Sequence, residues 1–140
     1  MTQEHKELLL KDLCSRLPYR VKVGTTGNYR SLENEWDILW HNPFTADVKL
    51  IHCIRHVAKI VNFSEVKPYL FPLSSMTEEQ REELQKLYFD YIPDEIFNDT
   101  EFVYHYDCTN LIDWLNKNHF DYRGLIEKGL AIDATGLNIY

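Results

Sequence analysis

Cysteine is scarce in this chain of 140 residues, and a long apolar run is absent. The three cysteines, Cys14, Cys53 and Cys108, are widely spaced and odd in number, which is typical of reduced thiols rather than of a disulfide framework. The opening stretch MTQEHKELLLKDL places acidic residues before its leucines, so it predicts neither a signal peptide nor a membrane span. We therefore expect a soluble, cytoplasmic protein that does not enter a membrane.

Motifs that hold phosphates or activate a hydrolase serine are missing as well. The chain has only 5 glycines, and none of them lies in a P-loop, a GxGxxG turn or a GxSxG elbow. The sequence contains neither an internal repeat nor a low-complexity tract. These absences favour a non-enzymatic protein, and the sequence predicts no cofactor.

The chain is instead rich in aromatic residues and uneven in charge. Aromatic residues make up 14% of the sequence and charged residues 26%, with a formal net charge of -7. Residues 1–70 carry 10 Lys and Arg against 8 Asp and Glu, whereas residues 71–140 carry 5 against 14. An excess of acid repels phosphate, so nucleic acid is disfavoured as a partner, whereas a basic protein would be attracted.

Residues 1–18 predict an amphipathic helix that ends at Pro18, because the residue before a proline is pushed away from helical geometry. Polar residues fall outside its apolar stripe, and Asp12 is one of them. The stripe consists of Leu9, Leu10, Leu13, Cys14 and Leu17.

Residues 19–66 predict a small antiparallel sheet or a partial SH3-like barrel. The stretch RVKVGTTGNYR alternates and then reaches a glycine-containing turn, as a hairpin does, and EWDILWHNPF predicts a second short strand. Residues 47–62 are ambiguous, because a helical stripe competes with a high content of β-branched residues. We favour strands there, since the hairpin needs further partners to be stable.

Residues 67–76 predict an extended strap, since Pro68 and Pro72 hold the chain away from helical geometry. Thr77 and Gln80 then stand in the spacing of a capping box, in which each side chain accepts a hydrogen bond from the backbone amide of the other residue. We therefore expect a helix to begin after Thr77. It opens an acidic, helical C-terminal half that covers residues 77–140.

Two more helices are expected within this half. One covers about residues 108–118. Asp121 is predicted to cap a short helix, and Gly129 is predicted to end that helix in the left-handed conformation. Together the elements predict a single domain of the α+β class over residues 1–140.

His52, Cys53 and His56 are the candidate metal ligands. On a helix, His52 and His56 would lie one turn apart and present two imidazoles to a zinc ion. On a strand they would share a face but lie too far apart without a bend. Partly buried or surface histidines beside a core cysteine are the favoured interpretation, so no metal is predicted.

A second cluster consists of His105 and Cys108, with His119 and Asp121 further along the chain. It could form a cysteine–histidine nucleophile pair, but Cys108 lies on the apolar face of its predicted helix, where burial disfavours the thiolate. The acidic residues of this half match no EF-hand spacing, and we interpret them as solvated. They are Asp90, Asp94, Glu95, Asp99, Glu101, Asp107 and Asp113.

Aromatic residues also lie near cations in the first half of the chain. Such residues can stack nucleic-acid bases on a small barrel, but they also close small cores, and the net charge disfavours a nucleic-acid site. The residues are Tyr29, Trp36, Trp40 and Phe44, beside Arg20, Lys22 and Arg30.

Three blocks of sequence carry a resemblance to a family: ELLLKDLCSRLPYRVKV, VKPYLFPLSSMTEEQ and WLNKNHFDYRGLIEKGLAIDA. They resemble a family of small uncharacterised proteins found among phage-like and mobile-element genes of gut Bacteroides-type bacteria. The resemblance covers both ends and the centre of the chain, and residues 24–62 match least. It implies a cytoplasmic accessory protein with a short β segment before the strap, and it offers no catalytic residues.

The sequence therefore predicts a non-enzymatic interaction protein of phage or mobile-element origin that acts through contacts with a protein partner. One alternative is an acidic decoy that occupies a basic, nucleic-acid-binding protein of the host. Another alternative is an enzyme or metal-binding protein that uses the histidine, aspartate and cysteine clusters. The sequence leaves the identity of the partner and the oligomeric state open.

Overall fold

A computed structural model describes residues 1–25, 35–42, 47–52, 55–87 and 109–140, and over these ranges the protein has the predicted α+β architecture. None of the helices in these ranges is both long enough and apolar enough to cross a membrane. The helices are α1 (Gln3–Arg16), α2 (Glu78–Leu87) and α3 (Thr109–Lys117). The strands are β1 (Lys22–Thr25), β2 (Trp36–Asn42), β3 (Asp47–His52), β4 (Val57–Asn62), β5 (Val66–Pro72), β6 (Phe120–Asp121) and β7 (Ile132–Asp133).

The seven strands form one mixed sheet with the order β4-β3-β2-β1-β5-β6, and β7 also pairs with β5. Strands β1 to β4 form an antiparallel meander, and β5 returns to pair antiparallel with β1. Strands β6 and β7 run parallel to β5. The preference for strands over residues 47–62 is confirmed, because β-branched side chains fit a pleated surface better than a helix.

The proline-containing segment is extended, as predicted, but it lies within the sheet rather than across its surface. Pro68 is opposite Val23 of β1, and Pro72 is opposite Asp121 of β6. The amide of Phe71 donates to the carbonyl of His119 (2.9 Å). Strand β5 therefore pairs with three other strands, although prolines are uncommon within an inner strand of a sheet.

Two groups of buried side chains form the interior, and β5 contributes to both. Val66 and Leu70 join the first group, which lies between α1 and the meander, whereas Phe71 packs against the second group. The second group lies among α2, α3 and β6, where the rings of Trp114 and Phe120 stack 5.7 Å apart. Its members are Leu73, Met76, Leu84, Leu111, Trp114, Leu115, Phe120 and Tyr122.

The ends of the predicted helices agree only in part with the structure. Both hydrogen bonds of the capping box are present, from the Thr77 amide to Gln80 Oε1 (2.9 Å) and from the Gln80 amide to Thr77 Oγ1 (3.2 Å). Asp121 accepts amide hydrogen bonds, and Gly129 has the expected positive φ of 68°. The prediction of a short helix between them is wrong, however, because residues 125–129 form a turn. Asp121 accepts the Arg123 amide at 3.3 Å, as an N-cap would, but its shorter bonds come from the amides four and five residues further on, at 2.9 and 2.8 Å.

Helix α1 agrees with the predicted helix over residues 1–18, but the assignment of Asp12 to its polar side is wrong. The Asp12 and Arg16 side chains are fully buried, and Arg16 Nε lies 2.7 Å from Asp12 Oδ2. Arg16 Nη2 also donates to the carbonyl of Phe120 (2.7 Å), and Arg123 Nη1 lies 3.8 Å from Asp12 Oδ1. The pair thus joins α1 to the segment around β6, and its burial depends on partners about one hundred residues away.

We expect Asp12→Ala to lower the free energy of unfolding by about 3–5 kcal/mol, because it leaves the Arg16 guanidinium buried without a counter-charge. Urea unfolding followed by circular dichroism measures the change. Lys11→Ala is the matched control, since Lys11 is the exposed neighbour on the same helix, and it should change stability by no more than about 0.5 kcal/mol. Equal effects of the two substitutions would contradict a structural role for the ion pair.

Candidate functional site

The outer edge of β4 is the most distinctive surface of the described residues. Strand β4 stands at one end of the sheet, and no strand within the described ranges pairs with its outer side. An unpaired edge presents a row of backbone donors and acceptors to any extended chain that approaches it. The outer side of β4 is therefore a candidate binding surface.

Strand β3 anchors β4 to the interior. The β3 residues Val48, Leu50 and His52 are buried, and they alternate with less buried residues. Leu50 is opposite Lys59, and Val48 is opposite Val61. Residues directly opposite each other in an antiparallel pair share a face of the sheet, so Lys59 and Val61 lie on the core side of β4. The residues between them lie on the outer face.

That outer face is apolar at its centre. Ile60 is 59% exposed and is flanked on this face by exposed Ala58 and Asn62. Val57, opposite His52 at the start of the strand, is 48% exposed on the other face. Leu39, at 52%, is exposed next to the irregularity in the β2–β3 register. Single exposed apolar residues are common on protein surfaces, but here Ile60 coincides with an open sheet edge.

A capping box at the end of β4 indicates which backbone groups point outward. The Asn62 amide donates to Glu65 Oε2 (3.1 Å), and the Asn62 side chain accepts from the Ser64 amide (3.1 Å). The Asn62 amide therefore points away from β3. Because successive residues of a strand direct their backbone groups to opposite neighbours, we infer that Ala58 and Ile60 also direct their N–H and C=O groups outward.

Lys59 is the only charged residue of β4, and its ammonium group is held on the core side. Lys59 Nζ donates to Thr25 Oγ1 (2.9 Å) and lies 4.1 Å from the ring centroid of Trp36. Burial lowers the pKa of Lys59, and the negative charge of Glu65 opposes that shift. The centre of the outer face therefore carries no charge.

The candidate metal ligands are divided by the β3–β4 turn. His52 is buried, with its ring edge-on to Trp36 at 5.1 Å and its Nδ1 accepting from the Arg55 amide (3.2 Å). His56 is exposed and has a positive φ of 51°. Cys53 lies outside the described residues. Within the described part of the chain, no three His, Cys, Asp or Glu side chains are arranged to hold a metal ion.

His119 and Asp121, predicted as members of the second cluster, have structural partners. The His119 ring stacks on Tyr140, with 3.7 Å between centroids, and Asp121 accepts three backbone amides. The Tyr140 hydroxyl donates to the Tyr69 carbonyl (2.8 Å). Burial of this hydroxyl group raises the pKa of Tyr140. His105, Asp107 and Cys108 lie outside the described residues, as do the other acidic candidates except Asp113, which is exposed.

An open cleft of about 300 Å³ borders Asp121. Both Asp121 carboxylate oxygens accept backbone amides of the following turn, so this group orders its own loop. Ser74 and Glu127 supply the other side-chain oxygens of the cleft lining. Its lining is Pro72, Leu73, Ser74, Asp121, Gly124, Ile126 and Glu127.

The aromatic residues considered for base stacking do not form an exposed platform in the described part of the chain. Trp36 is buried against His52 and Lys59. Lys22 pairs with Asp37 at 3.0 Å and with Glu35 at 3.5 Å, while Arg20 is exposed. Tyr29, Arg30 and Phe44 lie outside the described residues, as do the side chains of Trp40 and His41.

The comparisons with known proteins identify no relative. No protein-family model, no curated protein and no solved structure matches this chain.

His119 is expected to make the fold sensitive to acid between about pH 6.5 and pH 4. Burial, reinforced by the positive charge of Arg16, lowers the pKa of His119 from 6.5 to about 4. In this window the unfolded chain binds a proton that the folded chain does not bind, so the free energy of unfolding falls as the pH falls. Urea unfolding at pH 7 and at pH 4.5 measures this loss.

His119→Asn is the matched variant for this test. His119 has a positive φ of 60°, which asparagine tolerates better than most residues, and asparagine does not titrate. The variant should lose less stability than the unmodified protein between the two pH values, although it lacks the ring stacked on Tyr140 at both. An equal loss in the two proteins would show that His119 is not the acid-sensitive group.

Proposed function

We propose that this protein is a non-enzymatic interaction protein that binds an extended segment of a polypeptide along the outer edge of β4. One observation carries the proposal: an edge strand with outward backbone groups has a strongly exposed isoleucine at its centre. Addition of a strand to such an edge is a recurrent mode of peptide recognition, in which backbone hydrogen bonds supply affinity and side chains supply specificity.

The edge lacks two of the features that usually protect a free strand. Natural edges are blunted by prolines, by bulges, or by charged side chains, including lysines that point inward. Strand β4, VAKIVN, contains no proline and is paired in continuous register with β3. Its one lysine, Lys59, points inward and is held by Thr25 and Trp36, so the outer face at Ile60 carries no charge that would repel an incoming strand.

We further infer that strands β1 to β5 curl into a partial SH3-like barrel. The support is the short connection Phe63–Glu65 between β4 and β5. Three residues separate Asn62 from Val66, and the four Cα–Cα steps between them span at most about 14 Å. In a flat sheet of the observed order, β4 and β5 would lie four strand spacings apart, which is about 19 Å. A curled sheet removes this discrepancy.

Origin and compartment are also proposals. The three blocks that resemble proteins of phage-like and mobile-element genes support an accessory protein of that origin, and the scattered cysteines support a cytoplasmic location. The acidic-decoy alternative receives less support at this edge. The exposed Arg55 and His56 precede β4, and such residues do not attract a basic partner.

A site-specific photo-crosslink tests the proposed function. The photoreactive residue p-benzoylphenylalanine is placed at position 60, on the edge strand, and separately at position 39, a matched control that is similarly exposed but lies on β2. Irradiation in producing cells, followed by peptide mass spectrometry, should give adducts from position 60 only. These adducts should map to one continuous segment of a polypeptide.

Two results would contradict the proposal. One is no adduct from position 60. The other is the same mixture of adducts from positions 60 and 39, which would indicate random collision instead of docking at the edge.

A further inference from the structure

We propose that the segment that docks on β4 is β4 of a second copy of this chain, antiparallel to the first about a twofold axis at Ile60. This inference rests on the proposed docking edge and names its partner.

Backbone direction restricts the register. In a twofold antiparallel pair centred on Ile60, Ile60 is opposite the partner's Ile60, and Ala58 is opposite the partner's Asn62. These are the residues whose backbone groups point outward. Two hydrogen bonds can therefore join the Ile60 residues, and two more can run from the Ala58 amides to the Asn62 carbonyls of the other copy. The Asn62 amides keep their bonds to Glu65.

Charge favours a pair centred on Ile60 over a pair centred on the neighbouring Lys59. A pair centred on Lys59 would place two lysines directly opposite each other, and like charges in that position are destabilising. A pair centred on Ile60 places Lys59 opposite the partner's Val61 instead. It also brings the two Ile60 side chains together on the outer face, where each is 59% exposed in the single chain.

The ends of the strand are complementary in the same register. Arg55 and Glu65 are exposed and lie five residues before and five residues after Ile60. Antiparallel pairing about Ile60 therefore brings Arg55 of each copy to the end of the strand at which the partner's Glu65 lies. Opposite charges at both ends favour this arrangement over a parallel one, in which like charges would meet.

The contact is small, so the dimer should be weak and reversible. Interfaces below about 1,200 Å² are typical of transient complexes, and pairing of one short strand falls in that class. Sedimentation equilibrium over a range of concentrations should show an average mass that rises from that of one chain towards that of two.

Ile60→Lys should weaken self-association at least tenfold, because it places two ammonium groups opposite each other at the centre of the interface. Leu39→Lys is the control, since Leu39 is similarly exposed but lies on β2, away from the edge. It should leave self-association unchanged. The thermal unfolding midpoints of both variants should match that of the unmodified protein, which would show that the fold is retained.

A disulfide test reports the register. Opposed residues of a hydrogen-bonded antiparallel pair lie about 5.5 Å apart between Cα atoms, within the range that a disulfide spans. Ile60→Cys should therefore form a bond between two copies under mild oxidation by copper phenanthroline. Ala58→Cys should not form one, because the two copies of position 58 would be about 14 Å apart. Peptide mass spectrometry identifies the bond, with the unmodified protein as the background.

Each outcome bears on a different part of the proposal. A single-chain mass at every concentration, with no disulfide at position 60, would overturn self-pairing. The docking edge itself would then still stand if position 60 crosslinks to a segment of another protein. A disulfide at position 58 in place of position 60 would overturn the register. If neither self-association nor any crosslink from position 60 occurs, both proposals fail.

Discussion

The three-residue turn Phe63–Glu65 determines where the sheet is open. It carries the chain from β4 directly to β5, and β5 already pairs with β1, β6 and β7. Within the described residues, no strand is therefore left to cover the outer side of β4. The Asn62–Glu65 capping box holds this turn and uses the last outward amide of β4. The same local hydrogen bonds thus end the strand and establish which of its backbone groups face solvent.

The remainder of the described structure keeps this edge in place. Strand β5 joins the two groups of buried side chains, and the buried Asp12–Arg16 pair ties α1 to the carbonyl of Phe120. His119 and Asp121 serve this architecture through stacking and amide hydrogen bonds. These side chains are therefore engaged in structural contacts, whereas the exposed edge offers backbone groups and an isoleucine.

Local patterns in the sequence were sufficient for features that depend on near neighbours. They predicted α1, the capping box of Thr77 and Gln80, and the strands of residues 47–62, because spacing, capping and β-branching act within a few residues. They failed for Asp12, whose burial depends on Arg123 and on the position of Phe120. They also failed to place β5 in the sheet, because its two prolines argue against a paired strand. The open edge was missed because VAKIVN indicates a strand, whereas its position at the end of the sheet depends on the pairing order.

Residue-resolved hydrogen exchange of β4 tests the central claim most directly. The measurement is made by NMR at a protein concentration low enough to keep the chains separate. The account predicts alternating protection: the amides of Lys59 and Val61, directed towards β3, should exchange slowly, and those of Ala58 and Ile60 should exchange rapidly. Slow exchange of all four amides under these conditions would mean that the outer side of β4 is already paired within a single chain, and the docking edge would not exist.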